Sequence, residues 1–190
     1  MRLNAIKLTV VFALFLYATP FLYGQLSKIH YVPPIGAGTN VGDQYLYIST
    51  PNKGYINVTV KPLAGSRADW VTKSIKNDEP WVFQIYTPTS GGINSPVVKD
   101  LDTYSTQKVK DGYIVESTDV TYVSFRINSE SNNGRQFHSG AYVSKGEAAL
   151  GTRFRPGNFV GATGFTREGS QTFAENFVSI LAVEDGTRVE

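Results

Sequence analysis

Strand-length runs in which Tyr, Ile, Val, Phe and Thr alternate with polar residues recur along this chain, with Gly, Pro, Asn, Asp or Ser between them. They read DQYLYIST, YINVTVKP, PWVFQIYTPTSGG, SPVVKDLD, TQKVKDGYIVES, TDVTYVSFRINS, HSGAYVSKG, NFVSILAVEDG and TRVE. Alternate residues of a strand point to opposite faces, so such runs bury one face and solvate the other. Recurrence every eight to twelve residues or so, with turn residues between, is the pattern of an all-β sandwich. Helical periodicity is scarce: SRADWVTKSIKN at 66–77 and SKGEAALGT at 144–152 come nearest, and each reads equally well as strand and turn. The expected fold class is all-β, an antiparallel β-sandwich with jelly-roll-like or Ig-like connections and few or no helices after the N-terminal leader.

That leader is MRLNAIKLTVVFALFLYATPFLYGQ, in which Arg2 and Lys7 precede an apolar run over 8–23, and Gly24 precedes Gln25. Basic head, apolar stretch and small-residue cleavage site make a secretory signal peptide over 1–24. The run is broken by Thr9, Thr19 and Pro20, and is shorter than the roughly 20 uninterrupted apolar residues of a spanning helix. The chain has 0 cysteines, which excludes lipid attachment at an N-terminal cysteine. The expected location is secreted or cell-surface, on the outer membrane exterior, with no membrane insertion after signal removal.

Lys and Arg number 18 against 16 Asp and Glu, and removal of Arg2 and Lys7 with the leader leaves the body neutral. A neutral chain with scattered cations lacks the dense basic patch on which nucleic-acid binding depends. Without disulfides, an exported body relies on core burial. Residues 25–40, with Pro33, Pro34, Gly36 and Gly38, read as an extended lead-in and 41–190 as the sandwich domain. The PNKG turn at 51–54 predicts a β-hairpin between the runs on either side. At the C-terminus, 177–183 reads as a strand, 184–186 as a turn and 187–190 as a returning strand barely begun. The expectation is a domain truncated at that end, the start of a longer protein.

Motifs that carry chemistry are sparse. His30 and His138 are far apart and have no metal-ligand spacing, and no GxSxG elbow accompanies the serines. Acid pairs such as Glu116 with Asp119, or Glu184 with Asp185, read as solvated turn acids. KNDE at 76–79 and VEDG at 183–186 lack the spacing of a calcium loop. GAG at 36–38 and SGG at 90–92 are turn glycines, without the lysine and helix of a phosphate loop. Asn57 opens an NVT sequon within a strand. Trp70, Tyr86 and Tyr113 are candidates for an aromatic glycan platform, set against a reading in which Trp70 and Trp81 both belong to the core. Trp81 alternates with Phe83 and Ile85, which points it inward. No catalytic residue, metal or cofactor is expected.

The order GYIVES, TDVTYVSFRIN, HSGAYVSKGEAALGTRFRPG and NFVSILAVEDGTRVE, after SKIHYVPPIGAGTN and QYLYISTPNKGYINVTV, resembles a known family. It is similar to the N-terminal module of large type IX-secreted, gliding-associated bacterial surface proteins, itself distantly similar to the IgGFc-binding-protein N-terminal region. The most specific phrases are AALGTRF at 148–154 and ILAVEDGTRVE at 180–190. On that resemblance Gly146, Ala149, Leu150, Gly151 and Thr152 are structural motif positions, with tight turns at the glycines and close packing of the small residues. It implies a non-enzymatic module of a cell-surface adhesin associated with gliding motility. Its partner would be a glycan or protein ligand at the cell surface, or the secretion or motility machinery. A secreted carbohydrate-binding or carbohydrate-active domain is the alternative reading.

Overall fold

A computed structural model of the chain describes residues 25–37, 42–86, 95, 97–100, 111–127, 140–155 and 179–189. The signal-peptide reading of 1–24 falls outside them, as does His138. The architecture is antiparallel β, with nine strands among the described residues: β1 (Ser27–Val32), β2 (Ile35–Ala37), β3 (Gln44–Ser49), β4 (Ile56–Pro62), β5 (Val71–Ile75), β6 (Trp81–Tyr86), β7 (Val98–Asp100), β8 (Tyr113–Ile127) and β9 (Gly140–Val143). Helix among the described residues is limited to single 3-10 turns at Arg67–Asp69 and Gly146–Ala149, the two stretches with the nearest approach to helical periodicity. No helix among the described residues is long and apolar enough to cross a membrane.

Seven strands form one curled sheet organised on β8, while β2 and β7 make a separate parallel pair. The first half of β8 pairs with β1 and β4, and its second half with β3 and β9. The sandwich therefore takes the form of two leaves that share their central strand: β1, β8, β4 and β5 in one, β9, β8, β3 and β6 in the other. Odd-numbered positions are buried at both ends of β8, with Tyr113, Val115, Thr121, Val123, Phe125 and Ile127 inside, and the alternation lapses over 116–120. Leu46 and Ile48 of β3, Ile56, Val58 and Val60 of β4, and Trp81 of β6 join them in a single core cluster.

GYIVES and TDVTYVSFRINS read as two strands in the sequence, and they are one continuous strand bent near Asp119. Polar side chains at the bend supply partners that a flat ladder would have supplied. Ser117 Oγ donates to the Asp119 carbonyl at 2.6 Å, Thr50 Oγ1 to the Val120 carbonyl at 2.8 Å, and Thr121 Oγ1 to the Ser27 carbonyl at 3.2 Å. β1 skips part of the bend, its register shifting between Ser27 opposite Thr121 and Ile29 opposite Glu116.

Two further expectations are corrected. The hairpin across PNKG does not form: β3 and β4 lie one after the other along β8, Ser49 opposite Tyr122 and Val58 opposite Ser117. The chain bends at 51–54, but both strands pair with β8 and not with each other. The lead-in 25–40 is not merely an approach to the domain, because β1 within it buries His30 and Val32 completely. Its prolines follow the strand and do not prevent it.

Candidate functional site

A polar surface recess lies on the outer side of β4, β5 and the first half of β8. Burial of Ile56, Val58 and Val60 turns Asn57, Thr59 and Lys61 outward. Register then builds a row across the sheet, Thr72 opposite Thr59 and Thr59 opposite Glu116. Thr59 Oγ1 and Thr72 Oγ1 are 2.9 Å apart, and in the neighbouring row Ser74 Oγ donates to Asn57 Oδ1 at 2.6 Å. Lys61 forms an ion pair with Glu116.

Between β4 and β5 the chain reverses through the 3-10 turn Arg67–Asp69. Ser66 Oγ accepts from Ala68 N at 3.2 Å and Asp69 Oδ2 accepts from Ser66 N at 2.7 Å, a capping box that fixes the turn. Arg67 and Trp70 are thereby placed beside the row. Lys61 Nζ stands 4.2 Å and the Arg67 guanidinium carbon 5.5 Å from the centroid of the Trp70 ring, both within cation–π range. Thr59, Lys61, Arg67, Trp70, Thr72 and Glu116 line an open recess of about 450 Å³.

Trp70 is 38% exposed, which overturns the core reading of this residue. It precedes β5 and leaves a 3-10 turn, and no second layer among the described residues covers it. Of the other platform candidates, Tyr113 is buried in the core at an inward position of β8, and burial pushes its phenol above the ordinary value, so it is not a ligand platform. Tyr86 closes β6 opposite Gln44, and its side chain lies outside the described residues. Trp81 is in the core, edge-on to Phe83 with ring centroids 5.4 Å apart.

The motif positions divide. Gly146 is buried with φ +56, and a Cβ there would come within 2.3 Å of the Ser27 Cβ, so glycine is required. Ala149, Leu150, Gly151 and Thr152 are exposed, and Gly151 does not adopt a left-handed conformation. Close packing of the small residues is thus confined to Gly146, because the segment beyond the 3-10 turn leaves the sheet. The strand expected over 177–183 is also absent from its described part, 179–183, which is irregular. The turn after it does form, with Thr187 Oγ1 donating to the Glu184 carbonyl at 2.7 Å.

Titratable groups elsewhere serve the fold. His30 is sealed in the core with Nε2 2.8 Å from the Thr121 carbonyl and Nδ1 without a hydrogen-bond partner among the described residues, and burial lowers its pKa below the usual value. Asp119 accepts from Asn52 Nδ2 and from Val120 N, which hold its carboxyl below the usual range. In KNDE, Lys76 bridges Asp78 and Glu79 at 3.3 and 2.9 Å, and Glu79 also accepts from the Tyr55 hydroxyl. No group of three or more His, Cys, Asp or Glu among the described residues gathers to hold a metal.

Sequence reasoning named Trp70 but missed Lys61, Arg67, Thr59 and Thr72. The alternation of YINVTVKP already places Asn57, Thr59 and Lys61 on one face. Nothing local says that Glu116 and Trp70 meet them there.

No family model and no curated protein matches this chain. Among solved structures it is similar to the crystal structure of Thermotoga maritima 1070, at 14% identity over 62% of this chain and 92% of that one. The TM-score is 0.31, too slight a likeness to bear on fold or function.

Proposed function

We propose that this chain is an exported, non-enzymatic β module of a cell-surface adhesin, and that the Trp70 recess is where it contacts its ligand. The observation that carries this reading is the recess itself. It joins an exposed indole, two cations and paired threonine hydroxyls on a rigid sheet face. Aromatic surface beside a few fixed polar groups is what a binding site needs. The one carboxylate among the described residues that line it, Glu116, is engaged by Lys61, which supports binding over acid–base turnover. The glycosidase alternative calls for two carboxyl groups facing each other across a groove.

A glycan is favoured over a protein ligand because hydroxyl and amide groups, Thr59, Thr72, Asn57 and Ser74, outnumber apolar side chains on this face. Display by a type IX route and association with gliding rest on the family-like phrases at 148–154 and 180–190. Docking to secretion or motility machinery calls for an exposed strand edge at 177–190, and the described part of the strand expected over 177–183, residues 179–183, is irregular. Two measurements test the proposal. Fractionation of the native host is expected to find the protein outside the cell, and its confinement to the cytoplasm would sink the export reading. On a glycan array the purified protein is expected to bind, with Trp70→Ala losing the signal; equal binding by Trp70→Ala would remove the recess from the function.

A further inference from the structure

The recess is charge-asymmetric. Lys61 and Arg67 both lie against the Trp70 indole, and Glu116 is the single carboxylate among the described lining residues. Glu116 is taken by Lys61, whereas the Arg67 guanidinium has no ion-pair partner among the described residues. An arginine carries five donors in a planar fork that fits a carboxylate with two parallel hydrogen bonds, and stacking on an aromatic ring orients that fork.

We propose that the ligand of this recess is a carboxylated polysaccharide, a polyuronate chain, with one uronate carboxylate on Arg67. The inference rests on the reading of the recess as the contact site and specifies its ligand class. Lys61 already holds a carboxylate at the recess wall in the form of Glu116, so the local geometry suits that group. Thr59 with Thr72, and Asn57 with Ser74, follow one another along the same face of β4 and β5. Two residues of strand advance about 6.6–6.8 Å. This ladder of hydroxyl and amide groups therefore runs straight on from the cationic pair. It matches an extended polymer in which hydroxyls accompany each charge.

Affinity electrophoresis and calorimetry of the purified full chain with polygalacturonate, its methyl-esterified form and a neutral glucan, together with co-sedimentation on vesicles of anionic phospholipid, test the inference. Polygalacturonate is expected to bind, esterification to weaken binding about tenfold, and Arg67→Gln to weaken it by a similar factor. The affinity is also expected to fall with added salt. Arg67 is exposed, so Arg67→Gln is expected to keep the wild-type unfolding midpoint, and Arg67→Lys to restore only part of the affinity. Equal binding of the esterified and free polymers, or an unchanged affinity in Arg67→Gln, overturns the carboxylate assignment while leaving the recess as a glycan site. Binding to vesicles of anionic phospholipid in place of the polymer overturns it in favour of a membrane surface. Absence of binding to every glycan sinks this inference together with the proposed function.

Discussion

The ring of Phe83 on β6 stands edge-on to that of Tyr113 at the start of β8, with centroids 6.2 Å apart and planes at 69°. Phe83 is opposite Leu46, which is opposite Phe125 in the second half of β8. In a flat sheet, the run of β8 from Tyr113 to Phe125 would keep these rings roughly 40 Å apart, at about 3.3 Å per residue. Their contact is therefore the closure of the curled sheet on itself. Tyr142, opposite Phe125, makes a second closure by donating to the Pro33 carbonyl at 2.8 Å, just past the end of β1.

Loss of either ring should open that closure. Phe83→Ala and Tyr113→Ala are each expected to cost about 3–5 kcal/mol in urea unfolding. A double-mutant cycle should give a coupling of roughly 0.5–1.5 kcal/mol for the edge-to-face pair. Strictly additive costs would show that the ends of the sheet do not meet through these rings.

At Gly146 the backbone is left-handed and the space for a Cβ is filled by Ser27 and the Ile29 carbonyl. Gly146→Ala is expected to destabilise by about 2–4 kcal/mol, from strain and overpacking together. Gly54, where a Cβ would meet nothing within 4 Å, is the control, and Gly54→Ala should change the stability by less than about 0.5 kcal/mol. Similar urea midpoints for the two variants would contradict the packing of the Gly146 turn on β1.

His30 gives the stability a pH dependence of definite sign. Burial disfavours its charged form, and this outweighs the backbone carbonyls and the Glu147 carboxylate that favour it. The folded-state pKa lies below the ordinary 6.5, so the unfolded chain takes up a proton that the folded chain resists. The contribution of neutral His30 is full above 6.5 and is lost as pH falls below that value toward the folded pKa. Urea midpoints should drop from about pH 7.5 to about pH 5.5 in the wild type, and the drop should shrink in His30→Gln. An equal drop in both proteins would assign the pH dependence to other groups.

The alternation of single strands was legible in the sequence, and with it the burial of Leu46, Ile48, Val58, Val60 and Trp81. Pairing was not. PNKG looks like a hairpin turn because local chemistry favours reversal there, yet β3 and β4 both lie on β8, far along the chain from either. The bend in β8 looks like a gap between strands because Ser117, Thr118 and Asp119 are turn formers. In the fold, Ser117 and Asp119 instead satisfy the backbone without ending the strand. The polar face of β4 was implicit in its period, but the recess needs Trp70 from a turn and Glu116 from β8, and such long-range meetings leave no local pattern.

The two tryptophans offer an optical test of that difference. Trp81 is 8% exposed among core side chains, and Trp70 is 38% exposed with two cations against its ring. Trp70→Phe should leave emission from Trp81 alone, shifted to shorter wavelength and poorly quenched by acrylamide. Trp81→Phe should leave Trp70, red-shifted and readily quenched. Trp81→Ala is also expected to cost about 3–5 kcal/mol, whereas Trp70→Ala should cost less than about 1 kcal/mol because it leaves no cavity. Since Lys61 and Arg67 lie over the Trp70 indole, ligand arriving at the recess would alter their contact with the ring. A polyuronate titration should therefore change the fluorescence of the Trp81→Phe variant and leave that of Trp70→Phe constant. The reverse pattern would place the ligand away from the recess.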